Sequence, residues 1–229
     1  MAPEGGDDRT AKARIRDAAV ECFGRHGADC TVRMVAEAAG VSPGLVIHHF
    51  GTMDGLRAAC DRQIIAAVRE MKGRAMAAGP TGLDVAAALR DGGFEQGARY
   101  LARMLAEDTP AAAQLVDGLI ADAEEYMAEG VRSGMLKPTD DPRGRAIVVS
   151  LWSMSSLVLH HHFERLLGID LTQPGAGADP AIANYLKPAY DLLGDGLFTD
   201  EAAEHLRAAA DTIAAATAAT ETHATRGTQ

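Results

Sequence analysis

Three groups of residues carry side chains able to do chemistry. Gly40-Val41-Ser42-Pro43-Gly44 reproduces the G-x-S-x-G spacing of a serine that attacks acyl groups from a sharp strand-to-helix turn. That chemistry needs a strand before the serine and a backbone N–H after it for the oxyanion. Here the preceding residues have helical periodicity, and Pro43 has no N–H to give. In the second group, His160-His161-His162 with Glu164, His160 and Glu164 share a helix face that suits a divalent cation. No third ligand stands at a matching spacing, and adjacent histidines diverge by about 100° around a helix. The third group is Cys22, Cys30 and Cys60, an odd number without CxxC spacing, which implies neither a disulfide framework nor a zinc cluster. An enzyme built on Ser42 or on His160–Glu164 therefore lacks a nucleophile–base pair or a full ligand set. No catalytic residue, metal site or cofactor is expected.

The elements that position these residues are helical. Ile15, Ala18, Ala19, Cys22 and Phe23 recur at helical spacing until Gly24 and Gly27. Thr31 is a good N-cap for a helix over Val32 to Ala39, with Gly40 as its stop. Ser42-Pro43 then gives a cap followed by proline at the first helical position, and the next helix reaches His49. Two short helices joined by Ala39-Gly40-Val41-Ser42 form a helix-turn-helix pattern. Met53 to Met76 reads as one long helix. Further helices are expected at about 83–91, 93–107, 110–130, 142–167, 180–196 and 200–217, separated by glycine and proline breaks.

Composition agrees. Of 229 residues, 47% are hydrophobic but only 4% aromatic, a balance that favours helix over sheet. The net charge of −10 excludes a chain coated in basic residues for indiscriminate nucleic-acid binding. Residues 9–53 nevertheless carry a net +2, against −9 over residues 54–229. The first residues hold Glu4, Asp7 and Asp8 with no apolar core, so they are no secretory signal, and Ala146 to Phe163 is too short and polar for a membrane span. A cytoplasmic protein without membrane contact is expected.

The run Ile15, Ala18-Ala19, Phe23, Gly27, Thr31-Val32, Val35-Ala36, Ala39-Gly40-Val41-Ser42, Gly44, His49-Phe50 and Leu56 resembles the DNA-binding domain of TetR-family repressors. The resemblance implies an all-α protein with an N-terminal three-helix helix-turn-helix domain and a larger helical domain for dimerisation and ligand binding. The expected layout is a disordered tail over residues 1–8, a DNA-binding domain over 9–53, a helical body over 54–217 and a disordered tail over 218–229. By the same resemblance, Thr31 and His49 match phosphate-contacting positions. Ser42, Pro43, Gly44, Leu45 and His48 match the base-facing part of the recognition helix, and Arg33 is read as a phosphate or base contact. Val32, Val35, Val41, Val46, Ile47 and Phe50 are read mainly as packing. Two positions depart from the family pattern: Ile47 replaces a tyrosine and Met53 replaces a lysine, both of which commonly hold phosphates.

In the helical body the resemblance implies an enclosed pocket for an unknown small-molecule effector, with Phe94, Tyr100, Met104, Tyr126, Trp152 and His161 as its candidate lining. The three adjacent histidines divide between cavity, dimer partner and solvent. The nearly uncharged stretch 142–167 uses Ile147, Leu151, Met154 and Val158 for the core, leaving Val148, Ser155, Leu159, Phe163 and Leu166 for a partner. With Ile182, Tyr185, Leu186, Ala189, Leu192 and Leu193 of 180–196, it resembles the four-helix dimer interface of the family. The partners expected are a double-stranded DNA operator, a second copy of the chain and the effector. A DNA-binding regulator controlled without a small molecule is the alternative.

Overall fold

A computed structural model describes residues 4–82 and 95–194. The described residues are helical, without strands. Helix α1 spans Glu4–His26, and a 3-10 turn over Gly27–Asp29 leads into α2 (Val32–Ala39) and α3 (Pro43–Phe50). The long α4 (Met53–Ala77) and the single turn α5 (Gly79–Gly82) follow. Beyond residue 94 come α6 (Glu95–Leu105), α7 (Pro110–Arg132), α8 (Pro142–Val158), α9 (His160–Leu167), two 3-10 turns and α10 (Ala183–Gly194). The expected helices at 83–91 and 200–217, and the tail at 218–229, lie outside the described residues.

Helix starts follow the capping residues. Thr31, Ser42, Thr52, Thr109 and Asp141 each accept a backbone N–H from three residues ahead, at 3.3, 3.2, 3.0, 3.2 and 2.8 Å. Such a cap stabilises a helix by about 1 kcal/mol. Pro43, Pro110 and Pro142 sit just inside three of these starts, where no N–H is needed. Gly40 stops α2 in the left-handed region at φ 65°, where a side chain would be strained.

Three expectations change. Helix α1 begins at Glu4, so the tail expected to run to residue 8 is largely helical. The single helix expected over 142–167 breaks at Leu159, whose φ −95° and ψ 22° leave the helical region, and re-forms as α9. The segment from Pro180 opens as a 3-10 turn, with the α-helix starting at Ala183.

The chain divides into two compact units, Met1–Ile182 and Ala183–Gln229. Within the first, the expected boundary at residue 53 separates no cores. Ile15, Ala19, Phe23, Val35, Val46, Leu56, Cys60, Tyr100, Met104 and Leu115 belong to one continuous apolar cluster. Helix α1 packs on α6 as well as on α2, while α4 lies along α7 and α7 along α8. A smaller cluster gathers Ala123, Met127 and Ala146 with half-buried Tyr126 around it. Among the described residues, no helix is long and apolar enough to cross a membrane.

Candidate nucleic-acid interface and the helical body

The helix-turn-helix is closed from behind and open in front. Val35, Ala36 and Val46 are buried, and Val41 N donates to Ala36 O at 2.9 Å across the turn. Thr31, Arg33, Ser42, Pro43, Gly44 and His48 are exposed, while Leu45 and His49 are half-buried. The Thr31 and Ser42 hydroxyls use a lone pair to accept Met34 N–H and Leu45 N–H. Each keeps its O–H for a group outside the protein, such as a phosphate oxygen. Gly44 leaves open space at the first turn of α3, its nearest neighbour for an added Cβ being Ser42 Oγ at 3.9 Å. Leu45 belongs partly to the core, because its side chain packs against the buried cluster.

Ile47 corrects the reading of that position as packing. It is 43% exposed, so the recognition helix shows solvent an apolar side chain beside His48. At the far end of α3 the His48, His49 and Phe50 rings follow one another edge to face, with centroids 5.5 and 6.2 Å apart. Lys12 of α1 holds its ammonium 5.8 Å from the Phe50 ring centre. Met53 is half-buried against the core, and Lys12 of α1 brings a cation to this corner. Sequence reasoning missed Lys12, since only the folded chain brings it next to Phe50.

Behind this face, Tyr100 joins three helices. Its hydroxyl donates to Asp61 Oδ1 of α4 at 2.6 Å, and its ring meets Phe23 of α1 edge to face at 6.3 Å. A Cβ on Gly24 would lie only 3.3 Å from Tyr100 N, which sets how closely α1 and α6 approach. Arg57 of α4 pairs with Glu107 at 2.8 Å, and Gln63 Nε2 donates to Asp17 of α1 at 3.1 Å. Burial raises the Asp61 carboxyl above its ordinary value, partly offset by the Tyr100 hydrogen bond and Arg57. Burial, with Asp61 adding to it, likewise raises the Tyr100 phenol.

The expected pocket residues occupy different settings among the described residues. Tyr100 and Met104 are fully buried in the main cluster and act there as packing, while Tyr126 borders the smaller one. Trp152 is half-buried, and His161 is exposed with its ring 3.9 Å from that of His160. Phe94 lies outside the described residues. His160 faces Asp170, with Nδ1 3.2 Å from Oδ1. Among the described residues, no three His, Cys, Asp or Glu side chains converge as metal ligands.

On α8 and α9, Val148 (65%), Leu159 and Leu166 (67%) are exposed, and Phe163 and Ser155 are half-buried. Ser155 donates its hydroxyl back to Trp152 O at 2.7 Å. Leu151 and Val158, expected in the core, are exposed and widen this apolar face. In the second unit, Tyr190, Leu192 and Leu193 are exposed, Ile182 before it and Tyr185 and Leu186 within it are half-buried, and Ala189 is buried within the single chain.

The cysteines correct another expectation. Cys22 near the end of α1 and Cys30 just before α2 are disulfide-bonded, with Cα atoms 5.7 Å apart. Cys60 is a free, buried thiol pushed up to about 12, chiefly by burial.

An exposed, capped helix-turn-helix in front of a helical body defines a DNA-binding regulator. Comparison with known proteins places it further. Residues 15–60 match the profile of bacterial regulatory proteins of the tetR family, and residues 93–199 match that of the tetracyclin repressor-like C-terminal domain. The chain is 36% identical over 195 residues to the HTH-type transcriptional regulatory protein RaaS of Mycobacterium tuberculosis, covering 85% of this chain and 90% of that protein. A 69-residue stretch is 44% identical to the HTH-type regulator BetI of Stenotrophomonas maltophilia, covering 30% of this chain and 35% of BetI. The fold is similar to the fatty acid degradation regulator FadR of Bacillus halodurans, with TM-score 0.57 and 19% identity over 81% of this chain and 99% of that one. It is also similar to FadR of Bacillus subtilis, solved with stearoyl-CoA, with TM-score 0.52 and 15% identity over the same shares. The chain belongs to the TetR family. It is a transcriptional regulator, not an enzyme, and Ser42 in its G-x-S-x-G setting caps a recognition helix.

Proposed function

We propose that the protein is a homodimeric repressor that binds a palindromic operator through α3 of each protomer and leaves it when a small molecule occupies the helical body. The observation that carries this reading is the division of the helix-turn-helix. Val35, Ala36, Val41, Val46 and Phe50 are packed, while Thr31, Arg33, Ser42, Pro43, Gly44 and His48, with Ile47, remain exposed. Thr31 and His49 hold phosphates; Ser42, Gly44, Leu45 and His48 meet base edges, and Ile47 meets a thymine methyl. Lys12 supplies the cation that Met53 lacks.

Dimerisation buries the apolar face of α8 and α9 formed by Val148, Leu151, Val158, Leu159 and Leu166. Long-chain acyl-CoA is the effector class to try first, because FadR of Bacillus subtilis shares the fold and was solved with stearoyl-CoA. The solid packing of Tyr100 and Met104 favours a second reading, control without a small molecule. One experiment addresses both. An operator is selected from random DNA, and acyl-CoAs of graded chain length are then titrated against the complex. Thr31→Ala weakens binding about equally across sequences, whereas Ser42→Arg and His48→Ala shift the selected sequence. Identical profiles for all three variants would overturn the interface. No release by any acyl-CoA would turn the reading toward the second form of control. Sedimentation of the native protein as a monomer at micromolar concentration would remove the dimer.

A further inference from the structure

We propose that Cys22 and Cys30 form a reversible thiol–disulfide site that exchanges with low-molecular-weight disulfides and fixes the junction carrying Thr31. The bond ties the last turns of α1 to the residue immediately before Thr31, the cap of α2. A transcriptional regulator works beside DNA, in a compartment where small thiols keep most cysteines reduced. A disulfide in such a protein responds to the thiol balance and is no permanent staple. Both side chains are more than nine-tenths buried, so exchange proceeds through local opening of the turn between them. That turn has Arg25, His26, Ala28 and Asp29 exposed, and the 3-10 bond from Cys30 N to Gly27 O, 3.2 Å, closes its far end.

In the forward step, one cysteine thiolate attacks a sulfur of the small disulfide, giving a mixed disulfide and one small thiolate. The other cysteine attacks the protein-side sulfur and expels the second small thiolate. Two electrons pass from the cysteine pair to the small disulfide, and the two cysteine protons end on the departing thiolates. Once reduced, the two thiols remain small apolar groups fitting the same core, so the fold persists without the tether. Cys60 takes no part, being buried inside α4 with its thiol 3.8 Å from Arg16 O.

The site itself stands apart from the operator reading; only its effect on DNA rests on it. The test uses the full chain, reduced with dithiothreitol, freed of reductant and incubated with oxidised and reduced glutathione at graded ratios. Alkylation and intact mass then count free thiols. The count should move reversibly between all three cysteines and Cys60 alone. The oxidised form should melt higher by about 5 °C. In the double variant Cys22→Ala, Cys30→Ala, the melting point should ignore the ratio. Three free thiols at every ratio, or a bond that survives excess dithiothreitol in the folded protein, overturns the proposal. On a selected operator, the oxidised form should bind about threefold more tightly, because its α1–α2 junction is preorganised. Equal affinity overturns the link to Thr31, and DNA binding by neither form counts against the operator reading while the thiol count still decides the site.

Discussion

In residues 31–50 the capping side chains of Thr31 and Ser42 face outward, whereas in the body from Met53 onward several polar side chains turn toward one another. Thr31 and Ser42 bond their own helix starts and keep a donor for solvent. Asp61 is engaged by Tyr100, Arg57 by Glu107, and Asp170 by Thr172 and Gln173. The first arrangement recognises something outside the chain; the second holds helices at fixed distances. Both share one core, in which α6 packs on α1.

The largest way to break this contrast is to empty the joint between the two regions. Tyr100→Ala should cost roughly 3–5 kcal/mol of stability, as for other large buried side chains. Tyr100→Phe keeps the ring but leaves the Asp61 carboxylate without its donor, and should cost about 1–3 kcal/mol. Urea unfolding measures both. If Tyr100→Ala lowers stability no more than a surface change does, Tyr100 is no joint.

A smaller effect sharpens the outward-facing half. On the proposed operator-bound dimer, Met53→Lys adds a cation near the phosphates in each of two copies, so the slope of log affinity against log salt should steepen by about 2. Lys12→Ala should flatten it by a similar amount, about 2. Fluorescence titrations at several salt concentrations read both slopes. An unchanged slope with a lower melting point for Met53→Lys would mean that Met53 serves only as packing.

The smallest effect lies in the inward-facing half. Burial acts to raise the Asp170 carboxyl, but hydrogen bonds from the Thr172 hydroxyl at 2.7 Å, Thr172 N at 2.9 Å and Gln173 at 3.1 Å, with His160 alongside, outweigh it and hold the group below its usual range. With the folded value below the unfolded one, the stabilisation is complete above the unfolded pKa and is lost as pH falls through the folded value. Asp170→Asn should therefore cost about 1 kcal/mol at pH 7 and less at pH 3. Equal differences at both pH values, measured by urea unfolding, would show that the carboxylate's charge contributes nothing.

The two regions were not equally legible in the sequence. Capping residues, Pro43 and Gly40 act locally, so the sequence marks α2 and α3 to within a residue. The same local chemistry marks the starts of α7 and α8. Burial is relational, and there periodicity misled. Leu151 and Val158 share a stripe with Met154, yet only Met154 is buried. The break at Leu159 has no proline or glycine to announce it. The Cys22–Cys30 bond was hidden because an odd cysteine count says nothing about which two meet. Tyr100 is equally legible as a pocket or a packing residue, because a large aromatic in a helical body reads the same whether it lines a space or fills one.

The close approach at Gly24 has a consequence for anyone who would transplant the reading head. Residues 9–53 look like a portable cassette, but their inner surface is shaped to one particular neighbour. Phe23 meets the Tyr100 ring, Gly24 leaves room for Tyr100's backbone, and Asp17 receives Gln63. Grafted onto another body, the cassette would meet an unfamiliar helix at a spacing that leaves little room for a side chain at Gly24. A hybrid that keeps this packing must carry Asp61, Gln63 and the whole of α6 along with the head.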